Sequence, residues 1–351
     1  MPPAAAAADP LAVALAPVLA YAPPAPPPPQ RALRSLLDEA AAELDAGRAR
    51  HALTLLEQAR VLSDGSGSDV ERAEVFFRMG CCRLALGSPS HGASLLTLAL
   101  DLCDRAAEPC DRLRTDVLDW RSRCYQRQRD WQAARADVER ALELAHDLGD
   151  PHVTARVLFQ ASIVAERERQ WLMARLYAEE ACELLRELGD DVALGKVLNN
   201  LGGINFLLGQ APQALDCLGE ALRIAEAAGR DLDAGYVLSS LAQVKLRTGD
   251  AEGAATAAAR ALDRLAGRPD HANEVASAEL VLARALLEQG LPAAAQAAYE
   301  RADGTLRDFG SPSHSAAAWL VGGDIARAAG DEARASDLYR RAAETLQDVH
   351  F

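Results

Sequence analysis

The sequence predicts an all-α protein, an α-α solenoid of about eight helix-turn-helix repeats wound as a right-handed superhelix. Three observations predict it. A phrase returns at steps of 40 residues, as Leu148-Gly149-Asp150, Leu188-Gly189-Asp190, Ala228-Gly229-Arg230 and Arg268-Pro269-Asp270. Aligned on that period, fixed columns hold only very small side chains. Finally, 50% of the 351 residues are hydrophobic but only 5% aromatic, so the core must be built from Ala and Leu.

The turn inside each repeat falls at Gly47, Gly87, Arg129, Arg169, Gly209, Gly249, Gly290 and Gly330. Glycine there supplies the left-handed conformation that ends a helix. Seven residues earlier stand Ala40, Gly80, Ser122, Ser162, Gly202, Ala242, Ala283 and Gly323. Five residues after the turn stand Ala52, Gly92, Ala134, Ala174, Ala214, Ala254, Ala295 and Ala335, and twelve after it Ala59, Ala99, Ala141, Ala181, Ala221, Ala261, Ala302 and Ala342. Antiparallel helices approach closely only where side chains are this small. Larger residues recur as knobs at Leu36, Phe76, Leu118, Leu158, Leu198, Leu238 and Trp319, with Glu279 the exception. A hairpin patterned in this way cannot bury its own face and must stack on its neighbours. The columns place the repeats at about 33–67, 70–108, 112–150, 151–190, 191–230, 231–270, 271–311 and 312–349, within one domain from 31 to 351.

This pattern resembles the tetratricopeptide repeat, in the form of about 40 residues found in bacterial regulators and kinesin-light-chain-like proteins. The fifth repeat states it best, with Leu198, Leu201-Gly202, Gly209, Ala214, Leu218 and Ala221-Leu222. HEAT and armadillo repeats have a similar period but lack the fixed Ala pair around a Gly turn. The wording is also similar to the sensor region of bacterial helix-turn-helix regulators, XRE-type or MalT-like, without their DNA-binding domain. The resemblance implies a non-catalytic scaffold whose concave groove binds protein or peptide; the alternative is a peptide-responsive sensor or accessory subunit in transcriptional regulation.

Composition excludes other classes. With 37 basic against 51 acidic residues the net charge is −14, against direct nucleic-acid binding, which needs a basic face. No apolar run approaches the roughly 20 residues of a membrane span. Residues 1–30 hold 10 of the 17 prolines and one charge, Asp9, and read as a disordered Ala/Pro tail. Seven cysteines without a C-x-x-C pair suit a reducing, cytoplasmic compartment, and seven scattered histidines give no ligand spacing, so no metal or other cofactor is expected. No G-x-S-x-G, H-E-x-x-H or phosphate loop occurs, and no enzyme is expected.

Within an array, columns that vary from repeat to repeat should face the groove. Two do so: six residues before the turn (Ala41, Cys81, Arg123, Ile163, Gly203, Gln243, Arg284, Asp324) and nine before it (Asp38, Arg78, Trp120, Gln160, Asn200, Ser240, Val281, Val321). The candidate groove residues are Trp120, Arg123, Arg127, Arg156, Phe159, Gln160, Lys196, Asn199, Asn200, Tyr236, Ser240 and Gln243. Amide side chains offer a donor and an acceptor to an extended peptide backbone. Trp120, Phe159, Asn200 and Tyr236 are the expected anchors, and Cys81 is the one thiol in a groove column. Asn199-Asn200 also resembles the asparagine that holds peptide backbone in related repeats, against the alternative of a solvated surface pair.

From 112 to 129 the third repeat carries six Arg against Asp116 and Asp119. These Arg either capture an acidic peptide or a C-terminal carboxylate, or pair with acidic neighbouring helices. At the two non-Gly turns, Arg129-Asp130-Trp131 and Arg169-Gln170-Trp171, either the geometry differs or the Trp side chains pack across to compensate. At the C-terminal end Leu346, Val349 and Phe351 either fold back on the last repeat or form a homodimer contact.

Overall fold

The recurring Leu-Gly-Asp phrase is a helix stop followed by a helix start. Gly149 and Gly189 take φ of 64° and 68°, and the next residue caps the following helix: Asp150 Oδ1 accepts from His152 N at 3.0 Å and Asp190 Oδ1 from Ala193 N at 3.0 Å. These signals order a computed structural model that describes residues 28–267, 271–309 and 312–348. Among them lie α1 Pro28–Asp45, α2 Ala49–Ser66, α3 Asp69–Ala85, α4 Pro89–Arg105, α5 Asp111–Gln128, α6 Trp131–Leu148, α7 Pro151–Arg167 and α8 Trp171–Leu188. They continue as α9 Asp191–Leu207, α10 Ala211–Ala227, α11 Asp231–Arg247, α12 Ala251–Leu265, α13 Ala272–Glu288, α14 Pro292–Phe309, α15 Pro312–Ala328 and α16 Glu332–Asp348.

All eight turns are left-handed, including Arg129 and Arg169 with φ of 63° and 61°. Of the two accounts of the non-Gly turns, a different geometry is therefore wrong. The same paired bonds close a Gly and an Arg turn: Gly209 N to Phe206 O at 2.9 Å and Gln210 N to Asn205 O at 2.9 Å, beside Arg169 N to Glu166 O at 3.0 Å and Gln170 N to Ala165 O at 2.8 Å. Trp131 and Trp171, each opening the helix after its turn, are half-buried.

The chain divides into two compact bodies, one ending at Asp137 and the other beginning at Val138, a point inside α6. In each body successive helices pack as antiparallel hairpins, and first helices also touch first helices: α1 with α3 and α3 with α5 in the first, and α7, α9, α11, α13 and α15 in sequence in the second. First helices therefore form a wall in each body. The Ala column twelve residues after the turn is wholly buried, with Ala59, Ala99, Ala141, Ala181, Ala221, Ala261, Ala302 and Ala342 each at 0% exposure. Volume is traded across the hairpin: a Cβ at Gly202 would lie 2.6 Å from Leu218 Cγ, and one at Gly80 2.6 Å from Leu96 Cγ. Where the first helix carries Ala242 instead, the column of Leu218 holds Ala258.

The expected tail needs one correction. Residues 1–27 lie outside the described residues, but 28–30 already belong to α1; proline in a first turn lacks only an N–H that has no helical partner anyway. Val349, Phe351 and the Leu346 side chain also lie outside the described residues.

Candidate functional site

In the second body the first-helix wall opens into a cavity of about 630 Å³. Phe159, Ile163, Glu166 and Arg167 of α7, Lys196, Asn199 and Asn200 of α9, Tyr236, Ser239, Ser240 and Gln243 of α11, and Glu274 and Ser277 of α13 line it. Ile224 of α10 rises to the floor because Gly195 leaves it room; a Cβ there would stand 3.2 Å from Ile224 Cγ2.

Three adjacent first helices offer the cavity the same register position, ten residues before the turn: Phe159, Asn199 and Ser239. Asn199 Oδ1 and Ser239 Oγ are buried and have no hydrogen-bond partner among the described residues. Asn200, one residue on, is fully engaged: its Oδ1 accepts from Ser162 Oγ at 2.9 Å and its Nδ2 donates to Glu166 Oε2 at 2.9 Å. The two asparagines are thus split between a bonded seam and a buried acceptor without a partner among the described residues.

The column nine before the turn leans into the seam with the preceding first helix. Arg78 shows this as Asn200 does, its Nη1 donating to Leu37 O at 3.1 Å. Gln160 of the same column is only 6% exposed and does not line the cavity, a correction to its reading as a groove residue. Cys81 needs a second correction: it is 3% exposed, and burial pushes its thiol well above the ordinary range, so it is not an accessible thiol.

Charge around the cavity is mixed. Arg230 pairs with Asp233, whereas neither Arg167 nor Lys196, both exposed, meets a carboxylate among the described residues. Tyr236 places its hydroxyl 2.7 Å from His271 Nδ1, with the two rings edge to face. Arg156 is half-buried and does not line the cavity. The sequence reading missed Arg167, Glu274 and Ser277. Ser239, one repeat from Asn199 in the same column, was legible as a wall residue.

Trp120, Arg123 and Arg127 belong to the first body. Arg123 stacks on Trp120, its guanidinium carbon 4.9 Å from the ring centroid, and closes on the buried Asp119 with bonds of 3.3 and 3.1 Å. Arg121 grips Asp137 at 2.8 and 2.7 Å, and Arg114 reaches Asp111 at 2.7 Å. Internal pairing therefore absorbs much of the positive charge on α5.

Small-residue columns, left-handed turns and stacked hairpins define a helical-repeat protein. The tetratricopeptide-repeat family model matches residues 113–187 and 194–267. No curated protein sequence matches the chain. Its fold is similar to the apo form of the quorum sensor NprR from B. thuringiensis, with a TM-score of 0.71 at 14% identity over 90% of this chain and 87% of that one. It is also similar to the apo form of RapI (0.66, 12% identity, 90% and 98% of the chains). A Rap protein complexed with competence and sporulation factor gives 0.65 at 14% identity over 92% of this chain and 99% of that one. Among the described residues no helix is long and apolar enough to cross a membrane.

Proposed function

We propose that the cavity of the second body binds an extended segment of another protein, and that the chain works by binding rather than by catalysis. One observation carries this: Asn199 Oδ1 and Ser239 Oγ are unpartnered, in the same register on adjacent helices, at one cavity. A buried polar atom without a partner costs about 1–3 kcal/mol, so each favours a ligand that supplies a donor. Packed helices lie about 8–10 Å apart, close to three residues of a polyproline-II segment at about 3.1 Å each, a step that returns an N–H to the same side. One bound segment thus brings two backbone N–H groups to the two acceptors. Phe159 and Tyr236 flank the path for apolar side chains, and Arg167 and Lys196 suit an acidic side chain or a terminal carboxylate.

A peptide selected from a random library on the full chain, labelled and titrated by fluorescence anisotropy, tests the site. Replacing Asn199 and Ser239 together by Ala should weaken binding about tenfold or more, since each bond contributes about 1 kcal/mol. Asn200→Ala acts by loosening the α7–α9 seam and should lower stability. Equal affinity for wild type and the double variant overturns the assignment.

A second reading is supported by likeness to a quorum sensor and to a protein solved with a signalling factor: the bound segment is itself a signal, and the chain is a peptide-responsive subunit of a cytoplasmic regulatory system. Under that reading peptide addition changes the protein partners the full chain co-purifies with; a plain scaffold keeps the same set.

A further inference from the structure

Most connections between hairpins are brief, such as Gly149-Asp150, but α4 and α5 are joined by residues 106–110. A cysteine stands at each end. Cys103 lies in the last turn of α4 at 2% exposure, and Cys110, at 8%, immediately precedes α5 with the non-helical φ of −134°. The Cys110 thiol donates to the Cys103 carbonyl at 3.5 Å. Burial, and then the neighbouring Cys110 side chain, push the Cys103 thiol up to about 12.

Arg114 holds the connection in place. Its Nη2 donates to the same Cys103 carbonyl at 3.0 Å and its Nη1 to Asp111 at 2.7 Å, while Nη2 also lies 3.2 Å from Asp104. The Cys110 thiol is thus held against the last turn of α4, which carries Cys103, by contacts that do not depend on a bond between the two cysteines. Pro109, which has no N–H, stands in the connection, and residues outside a helix ladder open locally more readily than a helix interior. Cys81, Cys82 and Cys124 lie within helices at 3% exposure or less, as Cys103 does at 2%, so among the thiols of the first body Cys110 alone stands outside a helix.

We propose that Cys103 and Cys110 form a dithiol modification site whose substrate is a peroxide. Cys110, the more exposed, reacts first. Its deprotonated sulfur attacks one oxygen of hydrogen peroxide, the O–O bond breaks, and the departing hydroxide takes the released proton to become water. Cys110 is left as a sulfenic acid. Cys103 sulfur then attacks Cys110 sulfur; the S–O bond breaks, and hydroxide leaves with the Cys103 proton as a second water. Two thiols have lost two electrons to the peroxide, and a disulfide joins α4 to α5. A dithiol reductant reverses the step by exchange. Closing this loop removes conformational freedom from the opened connection and so stabilises the closed one.

The test treats the full folded chain with hydrogen peroxide, blocks remaining thiols by alkylation and digests it with trypsin without reductant. Peptides Leu84–Arg105 and Ala106–Arg112 each contain one cysteine. We expect them as one linked species that dithiothreitol separates. Amide exchange across residues 104–112 should slow about tenfold in the oxidised chain. The same treatment in urea should yield mixed linkages involving Cys81, Cys82 and Cys124, so the folded chain's selectivity reports the geometry. Cys110→Ser should abolish the linked species, and Cys217→Ser, at the half-buried thiol of α10, should leave it unchanged. If folded wild-type chain yields no linked species, or the same mixture as in urea, the proposal fails whatever the variants do.

Discussion

Arg301 of α14 closes on Glu279 of α13 through two parallel bonds, Nε to Oε1 at 2.6 Å and Nη2 to Oε2 at 2.7 Å. Glu279, 7% exposed, occupies the column held by Leu158, Leu198 and Leu238, and this partner explains how a carboxylate takes the place of a leucine. Arg301→Ala leaves the carboxylate buried and unpaired. Because the Arg301 side chain is 56% exposed, water recovers part of the loss, and we expect about 1–3 kcal/mol of destabilisation. Glu279→Leu with Arg301→Ala should return to within about 1 kcal/mol of wild type. Urea unfolding followed by circular dichroism measures both, and an unchanged Arg301→Ala midpoint would show that the pair contributes nothing.

The contact between Gly202 and Leu218 should be strongly coupled. Gly202→Ala puts a methyl into the Leu218 side chain and should cost about 1–3 kcal/mol. In a Leu218→Ala background the same change should cost at least about 1 kcal/mol less, since neighbours that share space are non-additive. A double-mutant cycle with no coupling would contradict the packing.

The two arginine turns hold strain. A left-handed non-Gly residue costs about 1–2 kcal/mol, partly offset by the larger unfolded-state freedom of glycine. Arg129→Gly and Arg169→Gly should each stabilise the chain by about 0.5 kcal/mol. Arg169→Val, β-branched at the same φ, should destabilise it; the three urea midpoints falling in the opposite order would be incompatible with the turn geometry.

Acid should weaken the first hairpin through Glu43. Hydrogen bonds from Arg48 and then His51, at 2.6 and 2.9 Å, hold its carboxyl down at about 2 from the ordinary 4.5. A folded-state pKa below the unfolded one means the contribution is complete above about 4.5 and is lost as pH falls through about 2. Glu43→Gln should therefore be less stable than wild type at neutral pH, with the gap narrowing between pH 4.5 and 2. A gap that stays constant across that window would remove Glu43 as the cause.

The hairpins were legible because backbone geometry and tight packing leave few alternatives. Only small residues fit beside Leu218, and glycine marks six of the eight left-handed turns. Side-chain partners were less legible. The variability of Gln160 and Asn200 showed that their column packs no uniform core, but both a groove and a seam between unlike neighbours produce variability. Only the fold separates Asn199, which lines the cavity with a buried Oδ1 left without a partner among the described residues, from Asn200, tied to Ser162 and Glu166. The charge on α5 left two readings open for a related reason: Asp137, sixteen positions away from Arg121, belongs to the following helix.

Because the two helices of a hairpin share one allotment of volume, they must be inherited together. A recombinant joined at Gly149-Asp150 or Gly189-Asp190 keeps Gly80 beside Leu96, Gly202 beside Leu218 and Gly323 beside Tyr339. A crossover at the turn marked by Gly209 would separate Gly202 from Leu218 and unite strangers. Repeat number in this lineage can therefore grow or shrink by whole hairpins, while single helices stay bound to their partners through descent.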